Sequence, residues 1–442
     1  MNPYSVEALR ETWRTLRRPR TGPAPRELAT GVDGVTSALF EERLEWNLAE
    51  IARMVTSREC DGRSRYRFGA LLRFLKAKTN GGARALHVAR VRDQLVLRAM
   101  HDVIVSSASR QGIASLRAPS PLRALATAAN IWRGVREPFV LRADIRAFYD
   151  SIHRARVVAR ASALVGEPHS VELLKNWDSG LRYREAFSTR ASEDRPVSGL
   201  PQGLSLSSLL AELSFSEIDA EACARFRWFR YVDDILVVCD SEGEALEALD
   251  WLNERLGLEG LELSPGKTFV KSLAEGFTWL GLRHDESGSH LDPERTRRWL
   301  ELFAKVRRRA GKQISSARDD DERRAIVGEF SRRVRDEISG KTSFRPAWYA
   351  MTVDEGHWKH FDRTLHALIR SVYRQARAEP PCGRQLPSAH RQLAARRLRI
   401  SAPSTADQGQ CAKPPRFGDP SPTNGHADVD GAETSSEHSE TT

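Results

Sequence analysis

The chain has 442 residues, with 69 Lys and Arg against 59 Asp and Glu, a net charge of +10 and a pI near 9.6. That length allows two or three domains with real cores, and 40% apolar residues fit a soluble globular protein. No apolar run approaches a membrane span and no signal-peptide core opens the chain, so a cytoplasmic protein is expected, and its basic balance suggests a polyanionic partner, nucleic acid before membrane.

Residues 4 to 20 read as an amphipathic, Arg-rich helix closed by Pro19. Gly31-Val32-Asp33-Gly34 is a turn that introduces a helix through Leu39, Leu44, Leu48 and Ile51. A basic stretch from Arg63 to Phe74 carries Tyr66 and Phe68. Arg84 to Gln94 mixes apolar and basic residues as a strand entering a helix, which continues through Leu95, Leu97, Met100 and Val103. Pro138 to Ile145 is a strand, followed by a helix through Val157, Val158 and Ala161. Pro201-Gln202-Gly203 opens an apolar helix from Leu206 to Ile218.

Arg230-Tyr231-Val232-Asp233-Asp234-Ile235-Leu236-Val237-Val238 follows, with β-branched and aromatic residues on both sides of two adjacent acids. It reads as a hairpin with the carboxylates at its tip. A helix from Glu242 to Leu256, the Leu261 to Thr268 segment and a strand from Phe277 to Leu282 come next. From Pro293 to Arg377 the pattern is helical. One apolar stripe is Trp299, Leu302, Phe303 and Val306; another is Phe361, Leu365, Leu368, Ile369 and Val372. Beyond Glu379 composition shifts to Pro, Ser, Gly and Ala, and a disordered tail is expected. No Lys or Arg follows Arg416, whereas six acids do, so the tail would shield the basic body or simply be solvated. Five scattered cysteines (Cys60, Cys223, Cys239, Cys382, Cys411) form no Cys-x-x-Cys pair, which argues against a zinc site or a disulfide framework and fits a reducing cytosol.

Two neighbouring carboxylates at a hairpin tip repel unless a cation neutralises them. A third, Asp144, closes the strand upstream, which could lie beside the hairpin. Three acids converging on adjacent strand ends would make a two-metal site of hard oxygen ligands, suited to Mg²⁺ and to nucleotidyl transfer. A water-facing Asp-Asp turn and a helix-capping Asp144 are the plain alternatives.

These motifs, in this order over residues 31 to 282, resemble the prokaryotic reverse transcriptases with a group II intron-like core. Gly31-Val32-Asp33-Gly34 is similar to the amino-terminal motif of the intron enzymes. Arg84 to Arg92 resembles the fingers motif, Asp144 to Ser151 the first palm motif, and Gly199-Leu200-Pro201-Gln202-Gly203 the motif that contacts the incoming nucleotide. Tyr231 to Asp234 resembles the second acidic motif, Leu261 to Thr268 the Lys-bearing one, and Phe277 to Gly281 the primer-grip strand.

The resemblance implies an α+β fold of the right-hand polymerase type. Amino-terminal helices and fingers would occupy 1–135, a palm of antiparallel sheet plus helices 136–285, a helical thumb 290–378 and the disordered tail 379–442. It also implies roles. Asp144 and Asp233, with the Ile145 carbonyl and Asp234 nearby, would hold two Mg²⁺ ions, with Mn²⁺ as a substitute. Arg84 and Arg92 would grip the triphosphate, Tyr149 would exclude a ribose 2′-hydroxyl, and Gln202 would place the nucleotide. Lys267 would protonate the leaving pyrophosphate or remain a solvated turn lysine. Phe277, Trp279 and Leu280 would support the primer end or fill the palm–thumb core. Arg307, Arg308 and Arg309, with Arg332 and Arg333, would meet template–primer phosphates or form a charged helix face.

Val232 stands where intron enzymes carry Ala, Ser207-Ser208 where they carry Ser-Pro, and Glu212 where they tend to carry Asn. No His-Asn-His endonuclease cassette or retron-like Val-Thr-Gly motif is found. The chain therefore looks most like the bacterial phage-defence reverse transcriptases, including the abortive-infection-like groups. The function implied is RNA-directed DNA synthesis in antiviral defence. The partners implied are an RNA template (a dedicated non-coding RNA), a DNA or RNA primer, deoxynucleotides and an accessory defence protein, without a membrane. A template-independent nucleotidyl transferase and a group II intron-type maturase are the competing readings.

Overall fold

Alternate residues of two central strands point into two different cores, and this division organises the molecule. The computed structural model describes residues 2–19, 25–59, 64–77, 82–113, 135, 137–186, 194–291, 293–338, 355–379 and 388. Its elements begin with α1 (Val6–Arg17), α2 (Ser37–Glu41), α3 (Leu44–Thr56), β1 (Leu71–Ala77), β2 (Ala83–Val88) and α4 (Val91–Arg110). Then come β3 (Phe139–Asp144), α5 (Phe148–Ser151), α6 (Arg154–Val165), α7 (Pro168–Gly180), β4 (Arg182–Glu185), β5 (Arg195–Pro196) and α8 (Ser205–Arg225). The hairpin β6 (Arg227–Tyr231) and β7 (Asp234–Cys239) leads to α9 (Glu242–Leu258), β8 (Phe269–Ser272), β9 (Phe277–Trp279), β10 (Leu282–Asp285) and β11 (Gly288–Leu291). The helices α10 (Pro293–Ser316), α11 (Asp320–Ile338) and α12 (Glu355–Gln375) close the series.

Among the described residues these strands form three sheets, ordered β2-β1-β4-β5, β6-β7-β3-β8 and β11-β10-β9. All pairings are antiparallel except β1 with β4. The fold is the expected α+β arrangement of helices and antiparallel sheets, and no described helix is long and apolar enough to cross a membrane. Because strand side chains alternate between faces, Leu141, Ala143, Ile235 and Val237 enter the core shared with α4, α6 and α8. Val140, Leu236 and Val238 enter a second core with Trp279, Phe303, Phe330 and Phe361, the apolar stripes of β9 and the last three helices. The expected tail lies outside the described residues beyond 379, except residue 388. The scattered cysteines argued against a disulfide framework, yet Cys223 is disulfide-bonded, to a partner outside the described residues. Cysteine spacing held no sign of this, since bridging depends on Cα proximity in the fold.

Among the described residues two histidines, His87 and His284, are buried. His284 in β10 donates from Nε2 to the Trp279 carbonyl at 3.2 Å, which fixes its tautomer, while Nδ1 faces Ser289 Oγ at 2.9 Å. Burial lowers both His284 and, with Arg73 adding repulsion, His87 to about 4. Their folded values lie below the ordinary 6.5, so the stability from keeping them neutral is full above 6.5 and lost as pH falls towards 4. Unfolding free energy measured by denaturant titration should decline across that window, by up to about 3 kcal/mol per ring. The substitution His284→Gln should flatten the decline.

Candidate active site

Tyr231 is paired with Asp234 across the β6–β7 hairpin, leaving Val232 and Asp233 as its two-residue turn. Val232 has φ +60°, the first-position sign of a II′ turn, a place that suits Gly and strains a β-branched residue. On the other side of β7, Asp144 is the register partner of Asp234, and the Ile145 amide donates to the Asp233 carbonyl at 3.2 Å. The end of β3 and the hairpin tip are thus joined, as the sequence led one to expect.

Lys267 Nζ donates to both oxygens of Asp144, at 2.8 and 3.0 Å. Arg142, two residues earlier on β3, donates to Asp234 at 3.3 Å. Burial pushes the Asp233 carboxyl upward, the Asp144 charge adds to this, and Lys267 and Arg84 only partly oppose it. Burial also raises Asp234, to about 6, against the pull of Arg142. Among the described residues no three His, Cys, Asp or Glu side chains gather as one ion-holding group. Asp144, Asp233 and Asp234 lie at the neighbouring ends of β3 and β7, with Asp234 hydrogen-bonded to Arg142 and Asp144 to Lys267. Asp144 and Asp233 are hard oxygen donors whose repulsion a divalent cation would relieve, so they suit Mg²⁺ or Mn²⁺.

The other residues singled out from sequence fall into three sets. Tyr149 and Arg84 lie within electrostatic reach of each other and of Asp233. Burial raises the Tyr149 phenol, and the neighbouring Ser208 hydroxyl partly opposes the shift. The backbone carbonyl of Tyr149 accepts from Leu200 at 2.7 Å, and a side chain at Gly199 would collide with it at 2.2 Å. Gln202 belongs to the same loop: its carbonyl accepts from the His87 amide at 2.7 Å, and a Cβ on Gly203 would meet the His87 carbonyl at 2.7 Å. Strand β2, which carries Arg84, is thereby docked on the Pro201-Gln202-Gly203 loop.

Arg92 is placed differently from Arg84. It donates to the Arg67 carbonyl at 3.2 Å and lies over the Tyr66 ring at 5.3 Å, beside the buried Asp93. Asp93 in turn accepts from Tyr66, Gly69 and Arg90. A buried carboxylate collects cations, and this one gathers the arginines at the start of α4. Phe277, Trp279 and Leu280 are buried in the second core, the second of the two roles open to them. Arg307 donates to Ser371 at 3.4 Å and Arg308 is exposed.

Residues 76–284 match the family model described as reverse transcriptase (RNA-dependent DNA polymerase). The chain carries a reverse transcriptase domain. Domains of this class are nucleotidyltransferases and work with divalent metal ions. No curated protein matches the chain. Similar solved structures include apo telomerase from Candida tropicalis, at 13% identity and a TM-score of 0.44, covering 83% of this chain and 73% of that one. Its form truncated from the C-terminal domain has 12% identity and a TM-score of 0.38, covering 56% of this chain, which spans 58% of its length. Telomerase from Candida albicans in complex with a fragment of telomeric RNA has 11% identity and a TM-score of 0.41, covering 85% and 70%.

Sequence reasoning missed Arg142 as a neighbour of the reverse transcriptase acids. Its position two before Asp144 on one strand places both on one face, a signal that was legible. It also missed Arg230, Glu212 and Asp219, whose association crosses from helix to strand. Because Lys267 neutralises Asp144, the substitution Lys267→Met should lower the melting temperature without metal and enlarge the stabilisation on adding Mg²⁺. Thermal melts of both proteins with and without Mg²⁺ check this. An unchanged Mg²⁺ response would count against competition between the lysine and the ion.

Proposed function

We propose that the chain is an RNA-directed DNA polymerase that adds deoxynucleotides to a primer 3′ end. The observation that carries this reading is the meeting of Asp144 and Asp233 at one end of the palm sheet, within the matched domain. Asp144 and Asp233 would hold two Mg²⁺ ions, with the Ile145 carbonyl as a further oxygen donor. When bound, those ions supply the charge that activates the primer hydroxyl and stabilises the pyrophosphate. Asp234 fixes Arg142 and contributes charge to the cluster.

Lys267 exchanges its contact with Asp144 for one with the leaving pyrophosphate, to which it can give a proton. Arg84 faces the triphosphate, with Arg92 behind it. Tyr149 closes the sugar side of the nucleotide against a 2′-hydroxyl, and Gln202 places the nucleotide from its loop. The β9 residues Phe277, Trp279 and Leu280 act from within the core, by holding the strand that supports the primer end. Arg307 and Arg308 meet phosphates of the duplex.

The wider reading is antiviral defence in a bacterial cytoplasm, with a dedicated non-coding RNA and an accessory protein. Its support is the basic balance of the chain and the motif likeness to the phage-defence enzymes. Purification from the native host followed by sequencing of the accompanying nucleic acid tests it. A specific RNA, copied into DNA by purified protein, is the expected result. DNA made without a matching template would favour the transferase reading, and a tightly held structured RNA without synthesis the maturase.

Two substitutions test the chemistry. The change Asp233→Asn should reduce primer extension by roughly 10³-fold or more while leaving the fold intact by circular dichroism. The change Tyr149→Ala should raise ribonucleotide incorporation relative to deoxynucleotide by about tenfold or more, read as the ratio of kcat/KM values. No gain in ribonucleotide use would remove Tyr149 from the sugar-selecting role.

A further inference from the structure

We propose that Arg230 is a positioning residue that holds the strained Val232–Asp233 turn in its working conformation, clamped from α8 by Glu212 and Asp219. This rests on the polymerase reading of the Asp144–Asp233 site. Glu212 and Asp219 are seven residues apart, two helical turns, and so share one face of α8. Arg230, 7% exposed on β6, meets both. Its Nε donates to Asp219 Oδ1 at 2.9 Å, and its Nη2 donates to Glu212 Oε2 at 2.9 Å and also to Asp219 Oδ2. Asp219 is itself steadied by Trp228 Nε1 at 2.9 Å, and the guanidinium lies 4.7 Å from the Phe215 ring centre.

Nη1 remains, and it donates to the Val232 carbonyl at 2.8 Å. That carbonyl belongs to the planar peptide that runs into Asp233, so the bond sets the orientation from which Asp233 departs. Val232 has φ +60°, a conformation that a β-branched residue leaves readily once nothing holds it. Relaxation there would rotate the 232–233 peptide and carry the Asp233 carboxylate away from Asp144. Stability alone does not account for the charged cluster, since a well-packed apolar replacement of a buried ion pair is often no less stable. The rigid fork of Arg accounts for it: three nitrogens serve two helix carboxylates and one turn carbonyl at once. Lysine keeps the charge and lacks the fork.

The full-length protein and its Arg230→Lys, Val232→Gly and double variants would be compared in primer extension on an RNA template. Thermal melting and amide hydrogen exchange of the 228–236 segment would be measured beside it. Arg230→Lys should lower kcat by about 30-fold with the deoxynucleotide KM within about twofold, and speed exchange at the turn. Adding Val232→Gly makes the positive φ cheap and should recover roughly threefold or more of kcat without raising the melting temperature. Should Arg230→Lys fail to fold, Glu212→Gln leaves Asp219 in place and should show the same pattern in smaller degree. Unchanged turn exchange, or a kcat loss that Val232→Gly leaves untouched, would reduce Arg230 to a core ion pair and overturn the inference. A wild-type protein that extends no primer would instead remove the polymerase reading, with turn exchange still deciding whether Arg230 holds the turn.

Discussion

Two like-charged groups, Asp144 and Asp233, are held together at the end of one sheet, and much of the surrounding structure answers to that repulsion. The Asp233 carboxyl is buried beside the Asp144 charge and pushed upward as a result. Positive groups ring the pair: Lys267 on Asp144, Arg142 on Asp234 and Arg84 facing Asp233. Acids brought this close need positive charge nearby, and these three cations supply it.

The second constraint is mechanical. Strand β3 pairs with β7 on one side and β8 on the other, and its alternate residues belong to two cores. Movement of β3 would therefore disturb both. Close-packed cores resist displacement, so the strand is a rigid base for Asp144. The hairpin tip is less well supported by its own sequence, because Val232 occupies a positive φ that its side chain disfavours. Its support comes from α8, through the Arg230 bond to the Val232 carbonyl. The Gly199–Gly203 loop is held by close backbone approach, where Gly199 and Gly203 leave room for the Tyr149 and His87 carbonyls.

Much of this was legible beforehand. Runs of β-branched and apolar residues marked β3 and β7, helical spacing marked α4, an apolar stretch after Pro201-Gln202-Gly203 marked α8, and the two apolar stripes marked α10 and α12. That Arg142 shares a strand face with Asp144 follows from strand period and could have been drawn, although the acid it meets could not. The Arg92 contacts could not, since Asp93 becomes a buried collector of hydrogen bonds only when Tyr66 and Gly69 fold onto it. Phe277, Trp279 and Leu280 were open between two roles because an apolar strand reads the same whether it faces a ligand or a core. The helices behind β9 decided for burial of the side chains.

The sequence by itself determined the local elements, the order of the acidic and basic motifs, and the chemistry available to a pair of aspartates. Those depend on period, residue type and spacing, which are properties of neighbours along the chain. Tertiary structure alone decided which charges meet: Lys267 across 123 residues to Asp144, Arg142 across 92 to Asp234, and Glu212 across 18 to Arg230. Coulomb energy and hydrogen bonding act over a few ångströms of space, and distance along the chain does not encode that proximity.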